Sequence, residues 1–582
     1  MNKKILLAEV FLALFITLGF KLASERKDTR LAPLKENTYR GRQMMGCSPD
    51  WQLLNLDSLG ATMLPLPGWG TYEWRISSLS DSARFYFNQG INMYYAFHII
   101  EAMASFKKAQ QFDDKNPMIY WAQALAFGPN INDFAYAAVP DAIAAAEKAS
   151  ELSVSATRKE QALIGAMRIR YSSDTTISRK ELNQQYSDRM KAVHTEFGAD
   201  ADAATLYADA LMLQHPWEYW QHNGNPHPWT PEIVAVLESV LKRTPGHPGA
   251  NHYYIHMLEA STNPGKALPS ADRLLTMMPA VSHMVHMPSH IYIRTGHYAK
   301  GILANERSLS GYATYKTLYP EVSNNAFLYA IHNYHMEAAC AMMQPNYLKS
   351  FVAATECASS FDSSYLSLPH PLGNAIQYIY LTPQMVNVRY GKWAEVLAAP
   401  KIHSNYAFGF LLDQWARGMA YAHSGRVDAA REALKLVETT LQDSSLRIRF
   451  EPFNVPYDQA TVASMILQGT IAKQEKNLSQ AISIFSDAVV AEDKLIYTEP
   501  RDWLIPTRHY LATALIKDKQ HKKAAAVLME DLKTNPANFY ALRGMQILAQ
   551  SEKNTQKLSQ YTRQLKAAYQ HSDLRHAALL YE

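Results

Sequence analysis

Cysteine is scarce in this chain, with three residues among 582: Cys47, Cys340 and Cys357. An odd and sparse set without CxxC spacing indicates neither a disulfide framework nor a thiolate zinc site. The sequence also lacks a glycine-rich phosphate loop and a Gly-x-Ser-x-Gly segment. Phosphate-loop chemistry and serine nucleophilic catalysis therefore have no support in the sequence.

A strong excess of charge is absent as well. Lys and Arg number 57 and Asp and Glu number 53, while residues 1–42 alone hold nine basic and four acidic side chains. The remainder of the chain is therefore about neutral. A nucleic-acid-binding protein needs a broad basic face that neutralises phosphates, so the composition predicts no nucleic-acid partner.

Long apolar runs are confined to the N-terminus. Lys3 and Lys4 precede a sixteen-residue stretch, 5–20, that is apolar apart from Glu9 and Thr17. This is the layout of a secretory signal, although sixteen residues are also few for a full membrane span. We expect residues 1–24 to be a signal peptide or membrane anchor and residues 25–46 a flexible tether. The folded body would then be periplasmic or otherwise exported, with an N-terminal membrane tether if residues 1–24 stay attached.

Helical periodicity dominates the rest of the sequence. Strand signals are nearly absent beyond residue 80, and apolar residues recur at three- and four-residue spacing. Several segments share one pattern, in which a turn is followed by a small residue and then a large apolar residue. Examples are Gly425, Ala430 and Leu434; Gly391 and Trp393; Gly296 and Tyr298; Ala102, Phe106 and Ala109; and Ala481, Phe485 and Ala488. On these residues the chain resembles tetratricopeptide-repeat (TPR) proteins, which implies an all-α superhelix of helical hairpins, a solenoid.

The sequence also divides into regions. We expect N-terminal helical repeats over 47–200, a central histidine-rich helical region over 201–345 and C-terminal TPR-like repeats over 346–582. Three segments are similar to a family of bacterial exported TPR proteins: Tyr120–Asn132, Asn251–His256 and His286–Tyr292. That resemblance implies a fold and a location, but no activity.

Histidine is concentrated in the central region, where eight of the 21 lie between 252 and 335 and even scattering would place about three. His252 and His256 are four residues apart, so their rings share one face of a helix, and Glu259 extends that stripe. His332 and His335 share a face in the same way. The pair His286 and His290 also has a spacing of four, but Pro288 lies between its members.

Pro288 predicts where a helix begins. Because proline is tolerated in a first helical turn, we expect a helix from about Met287, with His290 in its first turn and His283 and His286 on the segment leading in. The helix N-terminus would disfavour positive charge and keep His290 neutral.

These segments predict a metal site if they converge. Imidazole ligands favour zinc, copper or iron over calcium or magnesium. The candidate ligands are His252, His256, His283, His286, His290, His332 and His335. Glu259 could be a further ligand, a base or a surface ion pair, and we expect the surface pair. In the alternative interpretation the histidines are packing groups and no metal binds.

An aromatic loop interrupts the helical pattern at 215–229. Its residues Trp217, Tyr219 and Trp220 predict either a hydrophobic plug or a lid over a ligand site. The sequence thus predicts an exported TPR-type binding protein for an unknown protein or small-molecule ligand, with a histidine-rich transition-metal site. A metal-dependent enzyme and a metal-free interaction scaffold are the alternatives, and no catalytic residue can be assigned.

Overall fold

A computed structural model describes residue 49 and residues 51–573, apart from 134–135, 137–138, 319–322 and 451–452. The predicted signal segment 1–24, the tether 25–46 and Cys47 lie outside the described residues. Over the described ranges the chain is built from α-helices and short 3-10 turns and contains no β-strand. The predicted all-α class is confirmed.

The helices follow one another through short connections. The first half contains α1 Leu56–Thr62, α2 Asp81–Tyr95, α3 Ile99–Phe112, α4 Pro117–Ala126, α5 Pro140–Leu152, α6 Arg158–Arg170, α7 Arg179–Phe197, α8 Ala201–Met212, α9 Thr230–Arg243, α10 Pro248–Leu258, α11 Leu268–Met277, α12 Ser282–His286 and α13 Pro288–Arg294. The second half contains α14 Tyr298–Leu318, α15 Ser323–Met343, α16 Tyr347–Ser359, α17 Leu372–Tyr380, α18 Thr382–Arg389, α19 Trp393–Ala398, α20 Ala407–His423, α21 Val427–Thr440, α22 Pro456–Gln474, α23 Leu478–Glu492, α24 Thr507–Lys517, α25 His521–Thr534, α26 Phe539–Ser551 and α27 Thr555–Tyr569. Consecutive helices pack against each other in pairs such as α2 with α3 and α22 with α23.

A recurring turn joins the two helices of a hairpin. One residue takes a left-handed backbone conformation, and the next amide donates to the carbonyl five residues back, as in a Schellman motif. At Gly425, φ is 73°, and the Arg426 amide donates to Tyr421 O over 2.9 Å. The left-handed position is Gly at 296, 391 and 425, Lys at 476, 519 and 553, and Phe at 97. The turns therefore mark a structural repeat that the sequence pattern only partly displays.

Small and large side chains are matched across each hairpin. A Cβ atom added to Gly90 would lie 2.4 Å from the Phe106 ring, and one added to Gly469 would lie 2.5 Å from the Phe485 ring. Glycine therefore lets the helices approach at the level of the large ring. The small residues that follow these rings by three positions in the sequence pattern, Ala109 and Ala488, are fully buried. The predicted packing of small residues against large apolar residues in helical hairpins is therefore present at these positions.

The described chain has two large apolar cores, and the first extends through the histidine-bearing helices α10, α12 and α13. The first contains residues from Leu59 to Tyr292, and the second contains residues from Ala338 to Leu548. The C-terminal hairpins also contact the centre of the chain, since the Tyr298 hydroxyl donates to the Pro536 carbonyl over 2.9 Å. This return places residues from distant hairpins around the central histidines.

Two further findings concern the described residues only. Cys340 and Cys357 are buried free thiols, and burial raises the pKa of both, so neither has the character of a reactive thiolate. Among the helices described, none combines the length and the apolar character that crossing a bilayer requires.

Candidate metal centre

Four helices supply the histidine rings at the centre of the molecule. Helix α10 begins at Pro248, whose missing N–H suits the first helical position, and it carries His252 and His256 one turn apart. Helix α12 carries His283 and His286, α13 carries His290, and α15 carries His332. The rings of all but His332 are nearly inaccessible to solvent, with residue exposures of 4% or less.

The rings form two groups of three. His252, His256 and His283 each offer a nitrogen within 4.8 Å of the others, and so do His286, His290 and His332. In the first group, His256 Nε2 lies 3.1 Å from His252 Nε2. In the second, His290 Nε2 lies 2.7 Å from His286 Nε2 and 3.3 Å from His332 Nε2. The predicted convergence of these six histidines is therefore present.

In four of the six rings, an oxygen atom holds Nδ1. His252 Nδ1 donates to the Tyr95 carbonyl over 2.6 Å, and His286 Nδ1 donates to Asn305 Oδ1 over 2.6 Å. The Asn305 amide group itself donates to the Gly301 carbonyl, which orients its oxygen toward the imidazole. Such partners fix the tautomer of a metal-binding histidine and leave a lone pair on Nε2.

Glu259 joins the two groups. Its carboxylate accepts from His256 Nδ1 over 2.9 Å and from His290 Nδ1 over 2.7 Å. Glu499 lies 2.9 Å from the same His290 Nδ1. Glu259 is 1% exposed, so the expectation of a surface ion pair is wrong. Its role is to orient one ring in each group.

His283 has no such support. Neither of its ring nitrogens has a hydrogen-bond partner among the described residues, although the residue is only 4% exposed. A buried polar group without a partner loses its hydration without compensation, which is costly. The His283 ring packs 4.9 Å from the His252 ring and 6.0 Å from the His286 ring.

The electrostatics keep most of these rings neutral. Burial lowers the pKa of His252, His283 and His286 well below the usual range, and neighbouring rings lower each further. Burial lowers the pKa of His256 to about 3. Burial alone would lower the pKa of His290 too, but the carboxylates of Glu499 and Glu259 outweigh it and raise that pKa to about 10. The expected neutral His290 is therefore wrong, because carboxylates dominate over the helix N-terminus.

The helix break at Pro288 differs from the prediction. His283 and His286 lie on a short helix of their own, α12, and Met287 is helical between α12 and α13. Because Met287 keeps helical angles, His286 and His290 remain on one face across the proline, and their Nε2 atoms meet. His290 does lie in the first turn of α13, as expected.

His335 does not join either group. It lies on α15 with His332, but its ring packs against Tyr378 with centroids 5.7 Å apart. Burial lowers its pKa to about 4. The three-residue spacing predicted that both rings lie on one side of the helix and face the cluster. In the structure only the His332 ring faces the cluster. His335 is therefore a packing residue by its geometry.

Two aromatic residues pack directly on the first group. The Phe97 ring centroid lies 4.6 Å from that of His252 and 5.6 Å from that of His283. The Trp217 ring meets His256 edge-on at 5.7 Å. Both residues have positive φ, 58° and 65°, which is unusual for side chains of this size.

The other two predicted aromatic residues do not contact the histidine groups. Tyr219 is buried at 3% exposure beneath its own loop. The Trp220 indole donates to the Met257 carbonyl over 2.6 Å, which fastens the loop to the end of α10. Within the loop, Trp217 packs on the first group and Trp220 lines a neighbouring cavity.

That cavity has a volume of about 700 Å³ and adjoins the histidines without being lined by them. Its wall includes Trp220, Arg294, Tyr497 and Arg501. Arg294 stands one turn beyond His290 on α13, and its guanidinium lies 5.3 Å from the Tyr497 ring centroid. Tyr497 precedes Glu499 by two residues. The cavity and the second histidine group therefore share two structural segments.

Glu499 and Phe97 lie beside the histidine groups but were not among the predicted site residues. Glu499 reaches His290 from a C-terminal connection far along the chain, and no local spacing could have indicated that contact. Phe97 occupies a turn where equivalent hairpins have Gly or Lys, so repeat alignment could have marked it as unusual. His98, next to it, donates from Nδ1 to Glu101 over 2.8 Å, while its Nε2 lies 3.4 Å from the His283 backbone nitrogen.

Comparisons with known proteins identify no family for this chain. No protein-family model matches the sequence, and no curated protein matches it. Solved structures with similarity include a human IFIT1 dimer with PPP-AAAA, at a TM-score of 0.30 and 11% identity over 90% of this chain and 96% of that one. Others are yeast Tom70, at 0.28 and 11% over 82% and 93%, and the P58(IPK) TPR domain, at 0.22 and 13% over 84% and 99%. Similarities of this size carry no inference about function. The hairpins described above themselves define the chain as an all-α, TPR-like superhelix.

Proposed function

We propose that this protein binds transition-metal ions through His252, His256, His283, His286, His290 and His332. One observation carries the proposal: the Nε2 lone pairs of His252 and His256 face each other over 3.1 Å while oxygen atoms hold the opposite Nδ1 atoms. Two neutral rings arranged in this way repel each other, because each presents a lone pair and neither presents a proton. A cation placed between them converts that repulsion into coordination. In the second group, where carboxylates raise the pKa of His290, a bound ion would take the place of the His290 Nε2 proton.

The distances agree with coordination. Two imidazole nitrogens that bind one tetrahedral ion at about 2.0–2.1 Å lie about 3.3 Å apart. The Nε2 separations of 3.1 Å and 3.3 Å are close to that value, and the 2.7 Å separation is shorter. An all-imidazole donor set favours zinc, copper or iron, with carboxylates providing the surrounding negative charge.

Metal content tests the proposal directly. The full chain is purified, supplied with Zn²⁺ or Cu²⁺, freed of loose metal by gel filtration and analysed by elemental mass spectrometry. We expect stoichiometric retention, and a large loss in His290→Ala. His335→Ala is the matched control, because it removes a buried histidine of the same region that lies outside both groups. If the parent chain retains no metal, the proposal is wrong, and the alternative interpretation, a metal-free scaffold in which the histidines are packing residues, is favoured.

A metal-dependent enzyme is the second candidate, and the adjoining cavity favours it. A bound ion with an open position supplies a Lewis acid or an activated water. In this chain, Arg294 and Arg501 would bind an anionic group in the cavity. Tyr497 would form the wall of the cavity nearest to Glu499. A metal-loaded protein in which small carboxylates or phosphate leave the Co²⁺ absorption spectrum unchanged would argue against this candidate.

We also propose that the protein acts outside the cytoplasmic membrane, since residues 1–24 have the layout of a secretory signal. Cell fractionation of the full chain tests this location. Recovery of the protein with cytoplasmic markers would overturn it.

A further inference from the structure

The arrangement of the six rings bears on how many ions they bind. Within each group of three rings the donor atoms lie within 4.8 Å of one another, and a third set that joins the two groups, His256, Glu259 and His290, meets the same limit. Ring centroids do not separate the groups, because His256 and His290 lie 6.2 Å apart and His283 and His286 lie 6.0 Å apart across the groups, while His256 and His283 lie 6.5 Å apart within the first group. The groups are adjacent, but they do not share a ring.

The position of Glu259 and the directions in which the Nε2 atoms point distinguish the two groups. Its two oxygens hold the Nδ1 atoms of His256 and His290, so the carboxylate lies between these rings on their Nδ1 sides. The Nε2 atoms, on the far sides, point away from one another. His256 Nε2 turns toward His252, and His290 Nε2 turns toward His286 and His332. A single ion cannot receive both lone pairs without breaking one carboxylate contact.

The buried carboxylates favour cations at this place. Glu259 and Glu499 are both buried, and both lie against His290. Taking two carboxylates out of water is costly unless positive charge compensates them. His283, whose ring nitrogens have no hydrogen-bond partner among the described residues, completes the first group as a third donor.

We infer that the protein holds a pair of transition-metal ions, one bound by His252, His256 and His283 and the other by His286, His290 and His332. The inference rests on the proposed metal-binding function. Each ion receives three protein ligands, which leaves a fourth position for water or an exogenous ligand, as in catalytic rather than structural zinc sites. Glu259 makes the pair one unit, because it orients a ligand of each ion.

Stoichiometry tests the pair. The full chain is dialysed against buffered Zn²⁺, and bound zinc and protein are quantified together. We expect two ions per chain in the parent, one in His252→Ala, one in His332→Ala and none in the double variant, with His335→Ala retaining two. No zinc in the parent would overturn the proposed function itself. One ion in the parent, or loss of both ions in either single variant, would overturn the pair and leave the proposed function standing.

A spectroscopic measurement avoids variants that fold poorly. Two Cu²⁺ ions in adjacent groups interact magnetically, so the parent loaded with copper should show a broadened or diminished electron paramagnetic resonance signal relative to its copper content. A sharp signal that accounts for all bound copper at full loading would contradict the pair. Circular dichroism of each variant confirms that helix content is retained.

Discussion

Replacing Glu259 by Gln tests the central feature of the candidate site, the carboxylate shared by the two histidine groups. The glutamine has nearly the same shape, but it offers one acceptor oxygen and one N–H₂ donor. The one acceptor oxygen can then serve only one of the Nδ1–H groups of His256 and His290, and the amide N–H₂ faces the other; His290 alone has a second acceptor, Glu499. Both present contacts are short, at 2.9 Å and 2.7 Å, so neither ring can adjust without moving its Nε2.

The magnitude follows from the number of supports removed. Loss of one outer partner of a metal-binding histidine typically costs about 10–100-fold in metal affinity. Because Glu259 orients one ligand of each ion, we expect both dissociation constants for Zn²⁺ to rise by about 10–100-fold. Among the six histidines Glu499 is ion-paired with His290, so Glu499→Gln should weaken chiefly the ion of the second group.

Competition with a chromophoric chelator measures both affinities in one titration. Asp531→Asn is the matched control, since Asp531 is a buried carboxylate that lies 2.9 Å from His509 Nε2 in the C-terminal hairpins. That variant should leave both zinc affinities unchanged even if it lowers stability. Unchanged affinities in Glu259→Gln, or an equal effect of Asp531→Asn, would refute the proposed role of the shared carboxylate.

Three further predictions concern the scaffold. Lys476→Gly should stabilise the protein by about 0.5–1 kcal/mol, because glycine adopts the left-handed backbone conformation at this turn without strain. Phe97→Gly, at the equivalent position of another turn, should destabilise the protein because a buried ring is lost. Thermal unfolding measures both variants, and equal shifts of the melting temperature would contradict the packing role of Phe97. Phe485→Ala should cost about 3–5 kcal/mol in urea unfolding, and a cost below about 1 kcal/mol would mean that the hairpin closes around the gap. Burial raises the pKa of Asp209 from 3.8 to about 6, so the folded state holds a proton more tightly than the unfolded state and the free energy of unfolding falls as pH rises from about 4 to about 6. Asp209→Asn should remove this loss, so the free energy of unfolding of the variant should exceed that of the parent by about 3 kcal/mol at pH 7 and equal it at pH 3.5. A difference between variant and parent that does not depend on pH would refute this prediction.

The hairpin repeat could be predicted because its signals are local. Ala102, Phe106 and Ala109 face one side of a helix by spacing alone, and burial of that side is what stacking hairpins requires. Glu259 was placed on the histidine stripe for the same reason. Its burial could not be predicted, because exposure depends on what packs over the helix from elsewhere in the chain.

The histidine-rich region shows the limit of such reasoning. Spacing predicted both His332 and His335 as ligands. In the structure His332 Nε2 lies 3.3 Å from His290 Nε2, whereas the His335 ring packs on Tyr378. A few tens of degrees of helix rotation decide between these outcomes, and packing against neighbouring helices sets that rotation. Sequence spacing contains no such information.

The sequence by itself determined the helical class, the packing of small against large residues in the hairpins and the identity of most candidate ligands, since each depends on residues within one or two helical turns. Only the tertiary structure decided that the rings form two groups, that Glu259 lies between them, and that Glu499 and Phe97 belong beside them. Those features depend on contacts between residues far apart in the chain, and the curvature of the stacked hairpins, summed over many small packing angles, brings these residues together.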